Sequence, residues 1–221
     1  MDHLDGRLSF RARPPSGSVG GVDERLGLDV VRDGVLYVPD TAEAGAPVMV
    51  FLHGAGGTGR RELRAVLGAA DRYGVVIAAP DSRGITWDII EVGFGPDVVF
   101  IDRVLDAVAD RCDVDLARLA LGGVSDGASY ALSLGLTNGD VFEAIVAFSP
   151  GGMVPGTIVG RPEVFVSHGT DDPILPIATS SRVLVPLLRG AGYPVEYREF
   201  EGGHTVPPAV ADEAFRWWLT G

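Results

Sequence analysis

The sequence predicts an α/β fold: a mostly parallel sheet, doubly wound, with helices on both faces. Three observations carry this. Short apolar runs recur along the chain from residue 35 to residue 200. Segments with helical spacing lie between them. Several runs are apolar at every position, as strands covered by helices on each side must be.

The runs at 35–38, 48–52, 75–79, 119–122, 144–148, 164–167 and 195–200 read as strands. Leu63, Val66, Leu67 and Ala70 fall at i, i+3, i+4 and i+7, and Ile101, Val104, Leu105 and Val108 repeat the spacing, so each set predicts a helix. Further helices are expected over 126–136, around 179–189 and over 207–219. Pro207 and Pro208 suit a first helical turn, where a missing N–H is no loss. Pro186 should kink its helix or mark its start. The first 20 residues, with Pro14, Pro15, Ser16, Gly17 and Ser18, read as an irregular lead-in to one domain spanning 1–221.

The 221 residues carry 18 basic and 30 acidic side chains, a net charge of −12. This argues against nucleic acid and anionic membrane surfaces as partners, since both need clustered Lys and Arg. Hydrophobic residues make up 46% and charged residues 22%, as in a globular chain. The 31 Gly and 15 Pro point to many turns. Cys112 is the single cysteine, so no internal disulfide can form. The polar first residues do not resemble a signal peptide, no run approaches a membrane span, and the expectation is a soluble cytoplasmic protein. No metal constellation stands out, and no Lys completes a phosphate loop, so neither metal nor cofactor is expected.

In parallel sheets function gathers at the C-terminal ends of strands. The run at 119–122 leads into Gly123-Val124-Ser125-Asp126-Gly127, and a helical pattern follows at once. This is a G-x-S-x-G elbow in its required context of strand, tight turn and helix. A serine held in a strained turn needs small neighbours so that strand and helix can approach, and Gly123 and Gly127 supply them. Ser125 is thus the candidate nucleophile; the bland alternative is a helix N-cap.

A serine hydroxyl needs a base. His204, in a glycine-flanked loop before the last helix, follows the nucleophile and an acid-bearing loop in chain order. His53 and His168 read as strand-end histidines bonded to nearby backbone. His3 lies in the lead-in. The acid comes from His168-Gly169-Thr170-Asp171-Asp172-Pro173, where Asp171 and Asp172 compete. An oxyanion hole would use the amide of Asp126 and one from His53-Gly54-Ala55-Gly56-Gly57.

With these motifs in place, residues 34–220 resemble the α/β-hydrolase superfamily. The likeness is to its small lidless phospholipase/carboxylesterase group, and in part to polyhydroxybutyrate depolymerase and feruloyl-esterase sequences. The carrying stretches are Phe51 to Gly57, the loop opening Pro80-Asp81-Ser82-Arg83-Gly84 and running to Trp87, the elbow, the acid loop and Gly202-Gly203-His204. The resemblance implies an α/β-hydrolase fold without a cap domain. It selects Asp172, which directly precedes the proline, as the acid, and Ala55 as the first oxyanion amide. It implies a serine ester hydrolase working through an acyl-enzyme on a small-molecule ester. Many relatives carry Gln, Met or Asn where this chain has Asp126. A carboxylate facing the oxyanion would oppose catalysis, so its side chain is expected to turn away.

Rival readings are a thioesterase, lysophospholipase or acyltransferase with the same residues, and a binding protein that kept the fold. A homodimer stays open. The expected strands at 144–148 and 164–167 leave about 15 residues between them, rich in Gly and Pro, too few for a lid. The site is therefore expected to be an open cleft favouring short acyl groups, walled partly by Trp87, whose bland alternative is a partly buried packing residue, and by Ile174 beside the acid.

Overall fold

The computed structural model describes residues 5–14, 17 and 20–221. His3, Pro15, Ser16 and Ser18 of the expected lead-in lie outside the described residues. In chain order the strands are β1 (Val22–Arg25), β2 (Gly34–Val38), β3 (Ala46–Leu52), β4 (Val76–Pro80), β5 (Val114–Val124), β6 (Ala144–Phe148), β7 (Glu163–Gly169) and β8 (Val195–Phe200). The helices are α1 (Gly59–Glu62), α2 (Leu67–Tyr73), α3 (Asp88–Glu91), α4 (Pro96–Arg111), α5 (Asp126–Thr137), α6 (Ser181–Gly190) and α7 (Pro208–Thr220).

The eight strands form one sheet in the order β1-β2-β4-β3-β5-β6-β7-β8. β1 and β2 run antiparallel at one edge, and every pairing from β4 to β8 is parallel. Alternate residues of β3 enter opposite cores: Val48, Val50 and Leu52 belong to the one that includes residues of α4, α5 and α6, while Met49 and Phe51 belong to the one that includes residues of α2 and α7. A strand buried on both faces must be apolar throughout, which is why β3 reads as an unbroken run.

The differences from expectation have local causes. β1 is a short, mostly exposed edge strand with the sequence Val-Asp-Glu-Arg, so it lacks a hydrophobic signature. β5 starts five residues earlier than its apolar run because Asp115 and Arg118 interrupt the pattern. The helix expected around Leu63 is broken: a 3-10 turn at Leu63–Ala65 separates α1 from α2, since Val66 (φ −121°, ψ −1°) leaves helical geometry. Pro186 lies inside α6 and does not start it.

The lead-in is irregular over 5–14 yet docked. Leu8 and Phe10 are buried. The Leu8 amide donates to Asn138 Oδ1, and the Ser9 and Phe10 amides donate to the Asp102 carboxylate. Among the described residues no helix is long and apolar enough to cross a membrane.

No helix or strand interrupts residues 149–162. Three hydroxyls spaced four apart on α5 hold this segment down. Ser129, Ser133 and Thr137 each donate to the carbonyl four residues back, which leaves their lone pairs free. Ser129 Oγ then accepts from the Gly151 and Gly152 amides, Ser133 Oγ from Val154 and Thr137 Oγ1 from Gly156. The segment after β6 is thereby laid along α5.

Candidate active site

Ser125 follows β5 at φ 58°, ψ −119°, one of two described non-glycine residues with positive φ. Such strain costs of the order of 1–3 kcal/mol and persists only where the surroundings enforce it. They do: the Ser125 amide donates to Phe148 O at 2.9 Å, and its carbonyl accepts from Ser129 N at 3.0 Å. The flanking glycines are required by contact. A Cβ at Gly127 would lie 2.3 Å from Leu52 O, and one at Gly123 would lie 2.5 Å from the Gly127 carbonyl. Any side chain at either position would push the helix off the sheet.

The loop after β3 runs beside this elbow. A Cβ at Gly54 would sit 3.3 Å from Ser125 Cβ, which places the loop against Ser125. His53 organises it. Its ring is fully buried; Nε2 accepts from Ser82 N at 2.9 Å, so Nδ1 carries the hydrogen and donates to Gly54 O at 2.7 Å. Burial pushes this imidazole's pKa down and keeps it neutral. The Gly56 amide donates to Ile85 O, tying the loop to the one after β4. Ala55 N and Asp126 N enter none of these backbone bonds. The Asp126 carboxylate accepts from Thr86 Oγ1 at 2.7 Å, so its side chain is anchored to the neighbouring loop.

Asp172 and His204 meet. His204 Nδ1 donates to Asp172 Oδ2 at 2.6 Å, with the carboxylate buried and the imidazole 18% exposed. Asp172 Oδ1 accepts from the Ile174 and Leu175 amides, each at 2.9 Å. Burial pushes the Asp172 carboxyl up. The bonds from Leu175 N–H, His204 and Ile174 N–H outweigh it and leave the pKa below the ordinary carboxylate value. The two loops touch because position 169 is glycine: a Cβ there would lie 2.3 Å from the carbonyl oxygens of Gly202 and Gly203. The Asp171 amide donates to Gly202 O, while its side chain is exposed and takes the Thr170 hydroxyl.

β5 and β7 are separated by β6, hence by about 10 Å at the usual ~4.8 Å per strand. His204 must bridge that gap from the β8 end. Among the described residues Ser125 Oγ makes no hydrogen bond, so the serine–imidazole contact is not closed in this resting geometry. Catalytic contacts in unliganded enzymes are commonly loose and tighten with substrate.

Trp87 corrects an expectation. It walls no cleft: it is fully buried, donates from Nε1 to His53 O at 2.8 Å, and stacks against His53 and Tyr130 at 5.0 and 5.2 Å. A large ring with one polar atom is most stable buried where that N–H finds a carbonyl. The exposed apolar side chain of this loop is Ile85, 75% exposed, two residues earlier; Ile174, beside the acid, is 65% exposed. Sequence reasoning also missed that His168 lies beside the candidate acid, with Nε2 3.2 Å from Asp172 Oδ2. No sequence signal separates it from His53, because both read as His-Gly after an apolar strand. Among the described residues no group of three or more His, Cys, Asp or Glu side chains could hold a metal ion.

No family model matches the chain. It is 25% identical over 213 residues to feruloyl esterase C of Emericella nidulans, covering 80% of this chain and 77% of that one. It is 28% identical over 123 residues to feruloyl esterase B of Thermothelomyces thermophilus, covering 52% of this chain and 42% of the relative. The crystal structure of the Bacillus cereus carboxylesterase superposes with a TM-score of 0.66 at 21% identity, over 87% of this chain and 95% of that one. At that identity the likeness shows the fold.

Proposed function

We infer that this chain, an α/β-hydrolase of the esterase-like group, is a serine carboxylic-ester hydrolase. The observation that carries the reading is the 2.6 Å bond from His204 Nδ1 to Asp172 Oδ2, on loops that leave the same end of the parallel sheet as a serine held at φ 58°. Ser125 Oγ attacks the ester carbonyl carbon as His204 Nε2 takes its proton. Asp172 keeps the imidazole hydrogen on Nδ1 and stabilises the imidazolium that forms. The amides of Ala55 and Asp126 receive the developing oxyanion. His204 returns the proton to the leaving alcohol, and water then repeats the sequence on the acyl-serine. The Thr86 bond to Asp126 supports a carboxylate held to one side of this charge.

The substrate part of the proposal is a small ester with a short acyl group. The segment after β6 lies along α5, and Ile85 after β4 and Ile174 beside Asp172 are exposed to solvent, which supports an open cleft. Each methylene such a cleft leaves in water forgoes about 0.8 kcal/mol. A cytoplasmic setting belongs to the same proposal, supported by Cys112 having no second cysteine to pair with.

Labelling by a fluorophosphonate probe, lost in Ser125→Ala, tests the nucleophile. A p-nitrophenyl ester series tests the cleft: acetate and butyrate should show higher kcat/KM than palmitate, with no jump in rate at the micelle threshold. A long-chain optimum would overturn the open-cleft reading.

A further inference from the structure

We propose that His168 is a positioning residue for this reaction: its Nε2–H holds Leu175 O, on the turn whose amides bind the Asp172 carboxylate, and faces the same Asp172 oxygen that orients His204, while Ser181 occupies its other nitrogen. The proposal rests on the serine-hydrolase reading above.

His168 sits at the C-terminal end of β7 and is fully buried. Its Nε2 lies 2.8 Å from Leu175 O and 3.2 Å from Asp172 Oδ2. A carbonyl and a carboxylate have only lone pairs to offer, so Nε2 carries a hydrogen. Burial pushes this imidazole's pKa down, so the ring is neutral and Nδ1 is an acceptor. The partner of Nδ1 is the hydroxyl of Ser181, at 2.6 Å on the first residue of α6, and it donates. The arrangement is a chain: the Ser181 hydroxyl donates to His168, His168 Nε2–H donates to Leu175 O with Asp172 Oδ2 beside it at 3.2 Å, and His204 Nδ1–H donates to that same carboxylate oxygen.

The two carboxylate oxygens are held differently. Oδ1 is fixed by two backbone amides of its own turn. Oδ2 would otherwise be held by His204 alone, and His204 is partly exposed and must carry a proton back and forth each cycle. A buried neutral imidazole anchored on Leu175 O, with its Nε2–H edge facing Oδ2, keeps the turn that carries the carboxylate in place whatever the state of His204. The same burial excludes His168 as a substitute base.

The test uses the full chain and p-nitrophenyl butyrate. Ser125→Ala comes first: if it retains turnover, the serine-hydrolase reading itself falls. If Ser125→Ala is inactive, His168→Phe, which removes the donor and keeps a ring, should lower kcat roughly 10- to 100-fold, the usual scale for losing a partner that orients a catalytic ligand. KM should stay within about twofold, because no substrate contact is lost. His168→Gln, whose amide N–H can reach the Nε2 position, should recover most of the loss. The downfield proton signal of His204 Nδ1–H should move in His168→Phe and return in His168→Gln. A folded His168→Phe with unchanged kcat overturns the proposal and leaves the reaction intact. Equal loss in folded Phe and Gln variants would also overturn it, because shape and not donation would then matter. Should His168→Phe fail to fold, Ser181→Ala decides: a fall in kcat without a rise in KM supports the chain, and unchanged kcat overturns it.

Discussion

His53 and His168 end strands of the same sheet, both are followed by glycine, and both are fully buried, yet they serve different halves of the site. The His53 ring spends its nitrogens on backbone, joining the loop after β3 to Ser82 on the loop after β4, and Trp87 packs against it. The His168 ring also binds backbone, Leu175 O from Nε2, but it reaches side chains as well: Ser181 on Nδ1, and Asp172 Oδ2 at 3.2 Å beside Nε2. The first is scaffold for the candidate oxyanion loop. The second lies beside the candidate acid. The comparison teaches that a buried histidine's role is set by what its ring nitrogens reach.

The largest effect should come from the residues both halves serve. Ser125→Ala or His204→Ala should lower kcat by roughly 10³-fold or more with the fold intact, because such residues act as a unit. Near-normal turnover in folded His204→Ala would require another base, and neither buried histidine could be it.

On the acid side, Asp172→Asn should cost roughly 10²–10⁴-fold in kcat by favouring the wrong His204 tautomer. Asp171→Asn, at an exposed side chain, should change kcat little. The reverse order, read from the same steady-state assay, would move the acid by one residue.

On the scaffold side the damage should appear as stability. His53→Ala leaves the buried Ser82 amide without its acceptor and opens a cavity beside Trp87, a cost of about 3 kcal/mol in urea unfolding. Trp87→Phe keeps most of the ring and loses the bond to His53 O, costing about 1–2 kcal/mol. Acyl-chain preference should not change, since Trp87 reaches no substrate; a shifted preference would restore it to the cleft wall.

The smallest effect is one of pH. Asp97 and Asp88 accept from each other's amides beneath the loop after β4, and Asp97 Oδ1 also accepts from Arg83 N. Burial, with the neighbouring Asp88 charge, pushes Asp97 up to about 6 despite these bonds. The native state therefore binds more protons than the unfolded chain between roughly pH 4 and 6, and this group's contribution to stability falls as pH rises through that window. Asp97→Asn should flatten the slope of Tm against pH there. The lowered Asp172 and the Glu199 carboxyl, held near 2 by Arg182, act with the opposite sign below about pH 4. An unchanged slope in Asp97→Asn would assign the dependence to other groups.

By itself the sequence determined the alternation of elements and the chemistry. Strands apolar on both faces leave no ambiguity about burial. Ser125 between its glycines, and an acid loop and histidine loop in that chain order, are local patterns that a single chain records. Choosing Asp172 over Asp171 needed the family resemblance, and the structure then placed Asp172 against His204. What a chain cannot record is which side chains meet across strands. Trp87 and Ile85 lie two residues apart, and only packing decided that the indole goes under the site while Ile85 stands outside it. The same holds for the α5 hydroxyls that tie down residues 149–162, and for the edge strand β1, formed by pairing without an apolar pattern. Local patterns follow from steric and hydrophobic rules that act over a few residues. Contacts such as His168 to Ser181, or Asp126 to Thr86, join residues whose separation along the chain carries no information about their distance in space.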